Sequence, residues 1–365
     1  MRTQPDPESA PRVTSIIKRG EKGKGLTKNE TATLLRNIPT QGPLFKSLLA
    51  AADGLTRKQF GNTGEIHGQI GLNWDRCSQD CQFCIFSESW GEAGTPNELS
   101  EDDVLKRTQS FAKAKVASIS IMSTADYPFE RFLRMGTLVN REVLGRMPLF
   151  ANWGDLSFEQ ACEVKKAGYT FYYHALRLGE GGTTKIDPYK RMQTIENAHR
   201  AGLLVGSCLE PIGPEHSVEE LVDTLSIMRD LKISWMATMK RIALNGSPLA
   251  KYGELTDEEF ARVTAVTRLF FGNRIFTMAA HEPSSLCLHA GANFLVAELG
   301  TNPRDTQCET EWGRAWDVES CKKMLKENGF RTFKGNLFKR YARLSLKNRH
   351  LTHLPRIMTN RLFAP

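Results

Sequence analysis

The sequence predicts an α/β protein: a closed (β/α)8 barrel of the TIM type, with an N-terminal helical extension and a basic C-terminal tail. Strand patterns and helix patterns alternate eight times between residues 64 and 328, which indicates a parallel sheet. Eight such units within about 260 residues are what a closed barrel requires. The chain has 365 residues, of which 40% are hydrophobic, and this is enough for one large core. An open doubly wound sheet is the alternative arrangement.

The N-terminal part, residues 1–60, is predicted to be a disordered lead-in followed by helices. The first residues, MRTQPDPESAPR, are polar and lack the apolar stretch of a secretory signal. Residues 26–38 offer Thr27 as a helix N-cap with Glu30 three positions later, which is a capping box. Residues 44–61 carry a helical apolar stripe that ends at Gly61.

The barrel is predicted over residues 61–328, in which each strand is a short apolar or alternating run. The eight strands are expected at residues 65–74, 116–122, 147–153, 169–178, 203–213, 233–244, 274–280 and 292–299. The helices are expected at residues 100–115, up to 146, 157–168, 187–202, 217–231, 256–272, 283–291 and 318–329. Ser100 before an acidic turn, and Asp187 before Pro188, are N-cap signals.

The positive charge of the chain is concentrated in the C-terminal tail, residues 329–365. The tail holds nine Lys or Arg and no Asp or Glu, so the formal charge of +8 leaves −1 for residues 1–328. Apolar residues alternate with these charges: Phe333, Leu337, Phe338, Tyr341, Leu344 and Leu346. This pattern favours an amphipathic segment that packs on the barrel over one that binds nucleic acid.

No run of 18 uncharged apolar residues is present, so we expect neither a membrane span nor a membrane partner. The protein is predicted to be cytoplasmic, where thiols stay reduced. Its eight cysteines are therefore expected to be ligands or core residues rather than disulfides.

Three of these cysteines form the run CSQDCQFC: Cys77, Cys81 and Cys84. They follow the first barrel strand, and active sites of barrels lie at that end of the strands. Structural zinc needs four ligands, usually as two pairs, and no second pair follows here. A [4Fe–4S] cluster has four irons, so three thiolates would leave one iron open to another molecule. Zinc, or cysteines that bind nothing, are the alternatives.

The spacing C-x3-C-x2-C with Phe83 before the last cysteine resembles the signature of the radical S-adenosylmethionine (SAM) superfamily. The resemblance implies that SAM binds the open iron and is split by one electron, which releases a 5′-deoxyadenosyl radical. It extends over about residues 45–328 and is closest to the branch of biotin synthase, the hydrogenase-maturation enzyme and methylornithine synthase. The stretches that carry it are FGNTGEIHGQIGLNWDRCSQDCQFC, YYHALRLGEG, MKRIALNGSPLA and LHAGANFLVAEL.

The resemblance also implies a set of cofactor-binding residues. The stretch that meets the methionine amine falls at Ser123, Thr124 and Ala125, although the glycines of the family are missing there. The arginine that pairs with the methionine carboxylate falls at Arg191, whose planar fork suits a carboxylate. Polar residues that meet the ribose and the methionine fall near Arg177 and Glu180.

The chain departs from biotin synthase inside the barrel. The four ligands of the second, sulfur-donating cluster of that enzyme fall here at Ser120, Phe150, Gly206 and Phe276, so we expect no such cluster. Cys208 and Cys308 remain as candidates for a differently placed one. Helical patterns contain Cys162, Cys287 and Cys321, which are expected to be core residues. Polar residues at strand ends suggest a polar small substrate: Asp126, Asn152, His174, Glu210, Lys240, Arg241, His281 and Glu282.

The sequence therefore predicts a radical SAM enzyme with one [4Fe–4S] cluster that abstracts hydrogen from a small molecule in cofactor or metabolite biosynthesis. A rearrangement or fragmentation is expected to follow, with flavodoxin or ferredoxin as electron donor. Sulfur insertion of the lipoyl-synthase or biotin-synthase type is the alternative enzyme activity. A zinc- or cluster-containing RNA-binding protein is the alternative from another class. The sequence does not name the substrate.

Overall fold

Eight parallel strands form a closed barrel in the computed structural model, which describes residues 9–347. The strands are β1 (Thr63–Gly71), β4 (Ser118–Met122), β5 (Leu149–Asn152), β6 (Phe171–Tyr173), β7 (Leu204–Ile212), β8 (Trp235–Lys240), β9 (Met278–His281) and β10 (Phe294–Gly300). The short strands β2 (Asn73–Trp74) and β3 (Asn97–Glu98) form a separate antiparallel pair. Each barrel strand pairs with the next in this order, and β10 pairs with β1 to close the ring. The predicted (β/α)8 barrel is confirmed, and the open sheet is excluded.

Helices surround the barrel and return the chain between its strands. They are α4 (Glu101–Ala114), α5 (Phe129–Glu142), α6 (Phe158–Lys166), α7 (Pro188–Arg200), α8 (Val218–Asp230), α9 (Asp257–Phe271), α10 (Ser285–His289) and α11 (Val318–Glu327). The predicted N-caps are present, since Ser100 accepts a hydrogen bond from the Asp103 amide and Asp187 from the Tyr189 amide. No helix within residues 9–347 is both long and apolar enough to span a bilayer.

Three helices form the N-terminal extension: α1 (Ala10–Gly20), α2 (Lys28–Asn37) and α3 (Gly42–Phe60). The capping box of Thr27 and Glu30 is present at α2. The prediction of disorder was wrong for residues 10–12, which begin α1. The helix buries Val13, Ile16 and Ile17. The polar residues that precede this short apolar face led to the prediction of disorder. Residues 1–8 lie outside the described part of the chain.

Aromatic side chains fill the lower half of the barrel. The rings of Phe150 and Phe171 stack with centroids 4.2 Å apart, and His67 lies 4.9 Å from Phe150. Trp235 and Phe294 meet edge to face at 5.1 Å. Phe150, Phe171, Trp235 and Phe294 belong to one buried cluster inside the barrel, and His67 is buried beside it. The aromatic cluster therefore fills the barrel interior near the amino-terminal ends of the strands. The cavity that remains within the described residues lies toward their carboxyl ends.

The first part of the C-terminal tail packs against the amino-terminal end of the barrel. A short strand, β11 (Arg331–Thr332), pairs with β1, and α12 (Leu337–Lys347) follows it. Leu337, Phe338 and Tyr341 are buried, whereas Leu346 is 81% exposed. The predicted docking of an amphipathic segment is thus observed up to residue 347. Residues 348–365 of the predicted tail lie outside the described residues.

Candidate functional site

The cysteine loop, residues 75–87, leaves the carboxyl end of β1 and is closed on itself by hydrogen bonds. The Cys77 amide donates to the Phe86 carbonyl, and the Ser87 amide donates to the Cys84 carbonyl. Asp80 has a left-handed backbone with φ of 49°. Its carboxylate accepts bonds from the Ser87 hydroxyl at 2.6 Å and the Ser89 amide at 2.9 Å. These bonds hold the pKa of Asp80 well below its ordinary value. The ionised Asp80 carboxylate therefore links both halves of the loop through hydrogen bonds.

Two other loops of the barrel hold the cysteine loop from outside. The Gln82 amide donates to the Thr183 carbonyl, and the Lys185 amide donates to the Gln79 carbonyl. The Ile85 amide donates to the Pro303 carbonyl at 3.0 Å. Backbone bonds of this kind fix the path of the loop without depending on side-chain rotamers. The positions of the three thiols are thus set by the barrel as a whole.

The thiols of Cys77, Cys81 and Cys84 line one cavity of about 660 Å³, which we call the cysteine cavity. Burial raises the pKa of all three thiols, that of Cys81 to about 11. Charge on Cys81 and Cys77 further raises the pKa of Cys84, so the three sulfurs lie close together. Thiolates in such a place need a strongly positive partner, and ligation to iron provides one.

The arrangement of the thiols fits a cluster better than a single ion. A zinc ion needs its sulfur ligands about 2.3 Å from one common point. Within residues 9–347, no group of three or more His, Cys, Asp or Glu side chains is arranged to hold a single metal ion. A four-iron cluster instead spreads its thiolate ligands over separate irons. The donor set of three free cysteines on one loop therefore fits a [4Fe–4S] cluster with one iron that has no protein ligand.

Arg191 of α7 lies in the wall of the cysteine cavity and is 5% exposed. Its Nε is 3.3 Å from Glu180 Oε1, and its Nη1 is 2.9 Å from His174 Nε2 and 3.5 Å from Asp155 Oδ1. Burial raises the pKa of Glu180 although Arg191 and Arg177 oppose this effect. Burial, with help from Arg191, lowers the pKa of His174 to about 3. A neutral imidazole and two carboxylates thus orient one buried guanidinium.

The stretch Ser123–Thr124–Ala125 forms another wall of the cysteine cavity. Asn73 holds it, because the Asn73 amide group donates to Thr124 Oγ1 at 2.9 Å and its Oδ1 accepts from the Thr124 amide at 3.0 Å. Ser123 Oγ is buried without a hydrogen-bond partner. The glycines of the family are absent here, yet the backbone borders the cavity.

A second cavity, which we call the lumen cavity, lies inside the mouth of the barrel and has a volume of about 850 Å³. Phe83, Cys81 and Cys84 line its upper end. Arg177 lines both cavities, with its guanidinium 6.0 Å from the centroid of the Phe83 ring. The two cavities therefore meet at Arg177 and the cysteine loop.

Arg177 is held by carboxylates on both sides. Its Nε lies 3.1 Å from Glu210 Oε1 and its Nη1 lies 3.6 Å from Glu180 Oε1. Burial opposes its charge, but Glu210, Cys81 and Glu180 together raise the pKa of Arg177. Tyr173 donates to Glu210 at 2.7 Å.

The loop after β10 forms the opposite wall of the lumen cavity with Asn302, Pro303 and Arg304. Arg304 Nη2 donates to Glu298 at 2.7 Å, and Asn302 Oδ1 accepts from the Arg304 amide at 2.9 Å and from its Nε at 3.2 Å. Asn302, Arg304 and Tyr173 were not among the residues predicted for the site. The polar run NPRD immediately after the last strand was the available signal for the first two.

The structure brings only part of the predicted polar ring together. Asn152, His174, Glu210 and His281 line one or both cavities. The side chains of the other four predicted residues form hydrogen bonds or ion pairs with neighbouring residues instead. Asp126 accepts from the Ser78 amide and hydroxyl, Lys240 pairs with Asp257, Arg241 pairs with Glu215, and Glu282 pairs with Arg314 and Arg304.

The remaining cysteine candidates are far from forming a common site. Cys208 is buried in the aromatic cluster of the barrel interior, whereas Cys308 packs on a separate small cluster beside the cysteine loop. Phe276 precedes β9 and stacks on Tyr341 at 4.5 Å, at the closed end of the barrel. Phe150 and Ser120 line the lumen cavity.

Comparison with known proteins finds biotin synthases by sequence and two other enzymes by structure. No family model matches the chain. A biotin synthase from Acetivibrio thermocellus is 27% identical over 266 residues, which cover 70% of this chain and 81% of the relative. A biotin synthase from Clostridium tetani is 25% identical over 286 residues, or 74% and 86% of the two chains. The chain is thus similar to biotin synthases over most of its length, as the resemblance to radical SAM enzymes predicted.

Two solved structures share the fold of most of this chain. Methylornithine synthase superposes with a TM-score of 0.75 at 18% identity, covering 89% of this chain and 99% of that protein. HydG, a maturase of the [FeFe]-hydrogenase, superposes with a TM-score of 0.76 at 14% identity, covering 97% and 90%. These structures confirm the predicted fold, and the biotin synthases confirm the predicted resemblance in sequence.

Proposed function

We propose that Cys77, Cys81 and Cys84 hold a [4Fe–4S] cluster and that the chain cleaves SAM to abstract hydrogen from a small molecule. The observation that carries this proposal is the connection of two cavities at the mouth of the barrel. One is lined by the three thiols and Arg191, and the other continues into the lumen. Bound at these thiols, a reduced cluster supplies the electron that splits SAM into methionine and a 5′-deoxyadenosyl radical.

The residues around the cysteine cavity are suited to bind SAM in one orientation. Arg191 offers a planar fork to the methionine carboxylate, since its partners already hold the guanidinium in place. The backbone of residues 123–125 borders the place where the amine would lie. Arg177 lines both cavities, where ribose hydroxyls would find a donor, whereas Glu180 lines neither cavity and pairs with Arg177 and Arg191. Phe83 lines the lumen cavity beside Arg177.

The lumen cavity is the proposed substrate site. Its apolar floor, which includes Phe150 and Trp235, excludes water from a reactive radical, and its polar upper wall would orient a small molecule. The aromatic filling below leaves no route through the barrel. We propose a flavodoxin or ferredoxin as electron donor, which would approach from the side of the cysteine loop.

The same filling favours rearrangement or fragmentation over sulfur insertion. A sulfur donor needs cysteine ligands within reach of the substrate, and Cys208 is the single cysteine of the described interior cluster. Phe150 and Phe171 stack where another cluster would need space. We therefore propose one cluster per chain and a product without added sulfur. We also propose that the basic tail does not bind nucleic acid, because its described part packs on the barrel.

Anaerobic reconstitution tests the proposal. The chain should take up about four irons and four sulfides and should release 5′-deoxyadenosine from SAM when dithionite is added. A chain with Cys77, Cys81 and Cys84 all changed to Ala should bind no cluster. If that triple variant still holds iron and sulfide, and changing Cys208 or Cys308 removes them, a second cluster exists and sulfur insertion becomes the better proposal. A zinc-containing chain without cleavage would reject the enzyme.

A further inference from the structure

Three polar side chains that line the lumen cavity have no partner in the part of the chain that the structure describes. Gln69, Asn152 and His281 make no side-chain hydrogen bond or ion pair within residues 9–347. None of the three is fully buried, and none of their polar atoms is closed off from the cavity. The charged residues of the same wall differ from them, because each is held in an ion pair. The three uncharged groups are therefore open to a molecule that enters the cavity.

His281 is the last residue of β9, and the backbone turns sharply after it. Glu282 has a left-handed backbone with φ of 62°, a conformation that costs a residue with a side chain about 1–2 kcal/mol. Such strained residues are frequent at functional sites. The turn carries the Glu282 carboxylate to Arg314, with which it pairs, and to within 3.4 Å of Arg304 Nη1. The acidic neighbour of His281 is thus bound to arginines and leaves the imidazole free.

The surroundings of His281 keep its imidazole neutral. The open surface of the ring faces an enclosed cavity rather than bulk water. This desolvation is the main cause that holds the pKa of His281 well below its ordinary value, and the nearby Arg304, His67 and Arg314 act in the same direction. A neutral imidazole has one unprotonated nitrogen, which accepts a hydrogen bond, whereas an imidazolium can only donate. His281 therefore offers an acceptor to the cavity.

We infer that His281 determines substrate specificity by accepting a hydrogen bond from an uncharged O–H or N–H group of the substrate. The inference rests on the proposed function in so far as it takes the lumen cavity as the substrate site. A cationic group would be repelled there by Arg304 and Arg314. An anionic group would gain little from these arginines, since both are already paired with carboxylates. A neutral donor, such as a hydroxyl group, is the class that remains.

The open and neutral nitrogen of His281 can be tested without a substrate. Diethyl pyrocarbonate transfers an ethoxycarbonyl group to an unprotonated imidazole nitrogen, and mass spectrometry of peptides locates the modified residue. On the reconstituted chain, His281 should react equally fast at pH 7.5 and pH 5.5. Free N-acetylhistidine amide in the same solution should slow about tenfold, because an ordinary imidazole is mostly protonated at pH 5.5. No reaction at His281, or the same slowing as the free compound, would overturn the inference.

A matched pair of neutral probes tests the hydrogen bond itself. 3-Phenylpropan-1-ol and its methyl ether share an aromatic body, but only the alcohol donates a hydrogen bond. By calorimetry the alcohol should bind the reconstituted chain about threefold more tightly or better, and it should protect His281 from diethyl pyrocarbonate. Equal affinities, no binding of the alcohol, or binding without protection would overturn the inference. Tighter binding of 3-phenylpropanoate or 3-phenylpropylamine than of the alcohol would overturn the uncharged class.

Variants locate the preference for the alcohol within the cavity. His281→Phe keeps a ring but removes both nitrogens and should abolish the preference, whereas His281→Asn keeps an acceptor and should retain part of it. Asn152→Leu, which removes another open polar group from the same cavity, is the matched control and should keep the preference. Loss of the preference in Asn152→Leu alone, or equally in both His281→Phe and Asn152→Leu, would overturn the assignment to His281.

Iron content and 5′-deoxyadenosine release are measured on the same preparations, so that the two proposals fail separately. A chain that holds no cluster but prefers the alcohol through His281 would overturn the proposed function and keep this inference. A chain that holds the cluster and cleaves SAM but shows no preference would do the reverse. Circular dichroism checks that the variants are folded, and the protection of His281 in the unchanged chain remains decisive if they are not.

Discussion

Tyr341 of the C-terminal helix donates a hydrogen bond to Glu65 of the first barrel strand, with 2.8 Å between Oη and Oε2. Both residues are fully buried, and Arg340 Nε lies 3.2 Å from Glu65 Oε1. Burial raises the pKa of Glu65 although Arg340 and Tyr341 oppose this effect. The buried carboxyl group of Glu65 thus receives its hydrogen bond and its ion pair from α12, the helix that covers the amino-terminal end of the barrel.

We predict that Tyr341→Phe lowers the free energy of unfolding by about 1–3 kcal/mol, because Glu65 loses its hydroxyl donor without gaining water. Urea denaturation of the cluster-free chain measures this change. Tyr189→Phe is the control, since Tyr189 is 76% exposed and should change stability little. An unchanged midpoint for Tyr341→Phe would show that the bond contributes nothing.

We predict that Cys81→Ala abolishes SAM cleavage and lowers the iron content after reconstitution, because the proposed cluster loses one of its three thiolates. The matched control is Cys162→Ala on α6, a cysteine that does not line either cavity, which should keep both properties. Iron analysis and chromatography of 5′-deoxyadenosine provide the measurements. Cleavage at the normal rate by Cys81→Ala would reject the ligand assignment.

We predict that Arg191→Lys weakens SAM binding about tenfold or more while the iron content stays the same, because an ammonium group cannot reproduce the planar fork. Equilibrium binding of SAM to the reconstituted chain gives the affinity. Arg200→Lys, on the same helix, is the control: its guanidinium lies 4.3 Å from the centroid of the Phe158 ring, outside the cysteine cavity. Equal affinities of Arg191→Lys and the unchanged chain would remove Arg191 from the site.

We predict that acidification destabilises the fold partly through His67. Burial lowers the pKa of His67 to about 3, whereas an unfolded histidine titrates near 6.5. Below pH 6.5 the unfolded chain binds a proton that the folded chain does not. His67 therefore lowers the free energy of unfolding by up to about 1.4 kcal/mol for each unit by which the pH is decreased. Above pH 6.5 the effect disappears.

The variant His67→Gln should therefore show a shallower loss of stability between pH 6.5 and pH 5 than the unchanged chain. Urea denaturation of the cluster-free proteins at several pH values measures the two slopes. The exposed His289→Gln serves as control. Identical slopes for His67→Gln and the unchanged chain would contradict the assignment.

The barrel and the cysteine loop were predictable because both are local signals. Eight alternating patterns and one spacing of three cysteines can be read without knowing which residues meet. The wall formed by Asn302 and Arg304 could not be found in this way, because it depends on which residues meet after folding. Lys240 and Arg241 were predicted for the site, but Asp257 and Glu215 bind them instead. Such ion pairs join residues from separate segments, so they cannot be predicted from the periodicity of the sequence.

The helix α1 illustrates the opposite error. Its three large buried apolar residues follow a polar start that contains prolines. The composition of residues 1–12 alone suggested disorder. Burial of Val13, Ile16 and Ile17 against the body of the protein stabilises a segment whose own propensity is weak. Packing partners decided the outcome, and these are invisible in the segment itself.

The cysteine loop is held by two distant loops, and this limits how the motif could be used elsewhere. A synthetic peptide that copies residues 77–84 would contain the thiols but not the Thr183 carbonyl that accepts from the Gln82 amide. Transplanting the octapeptide into another scaffold should therefore yield a metal-binding segment of loose geometry. Engineering a new radical catalyst would require transfer of the surrounding loops as one unit.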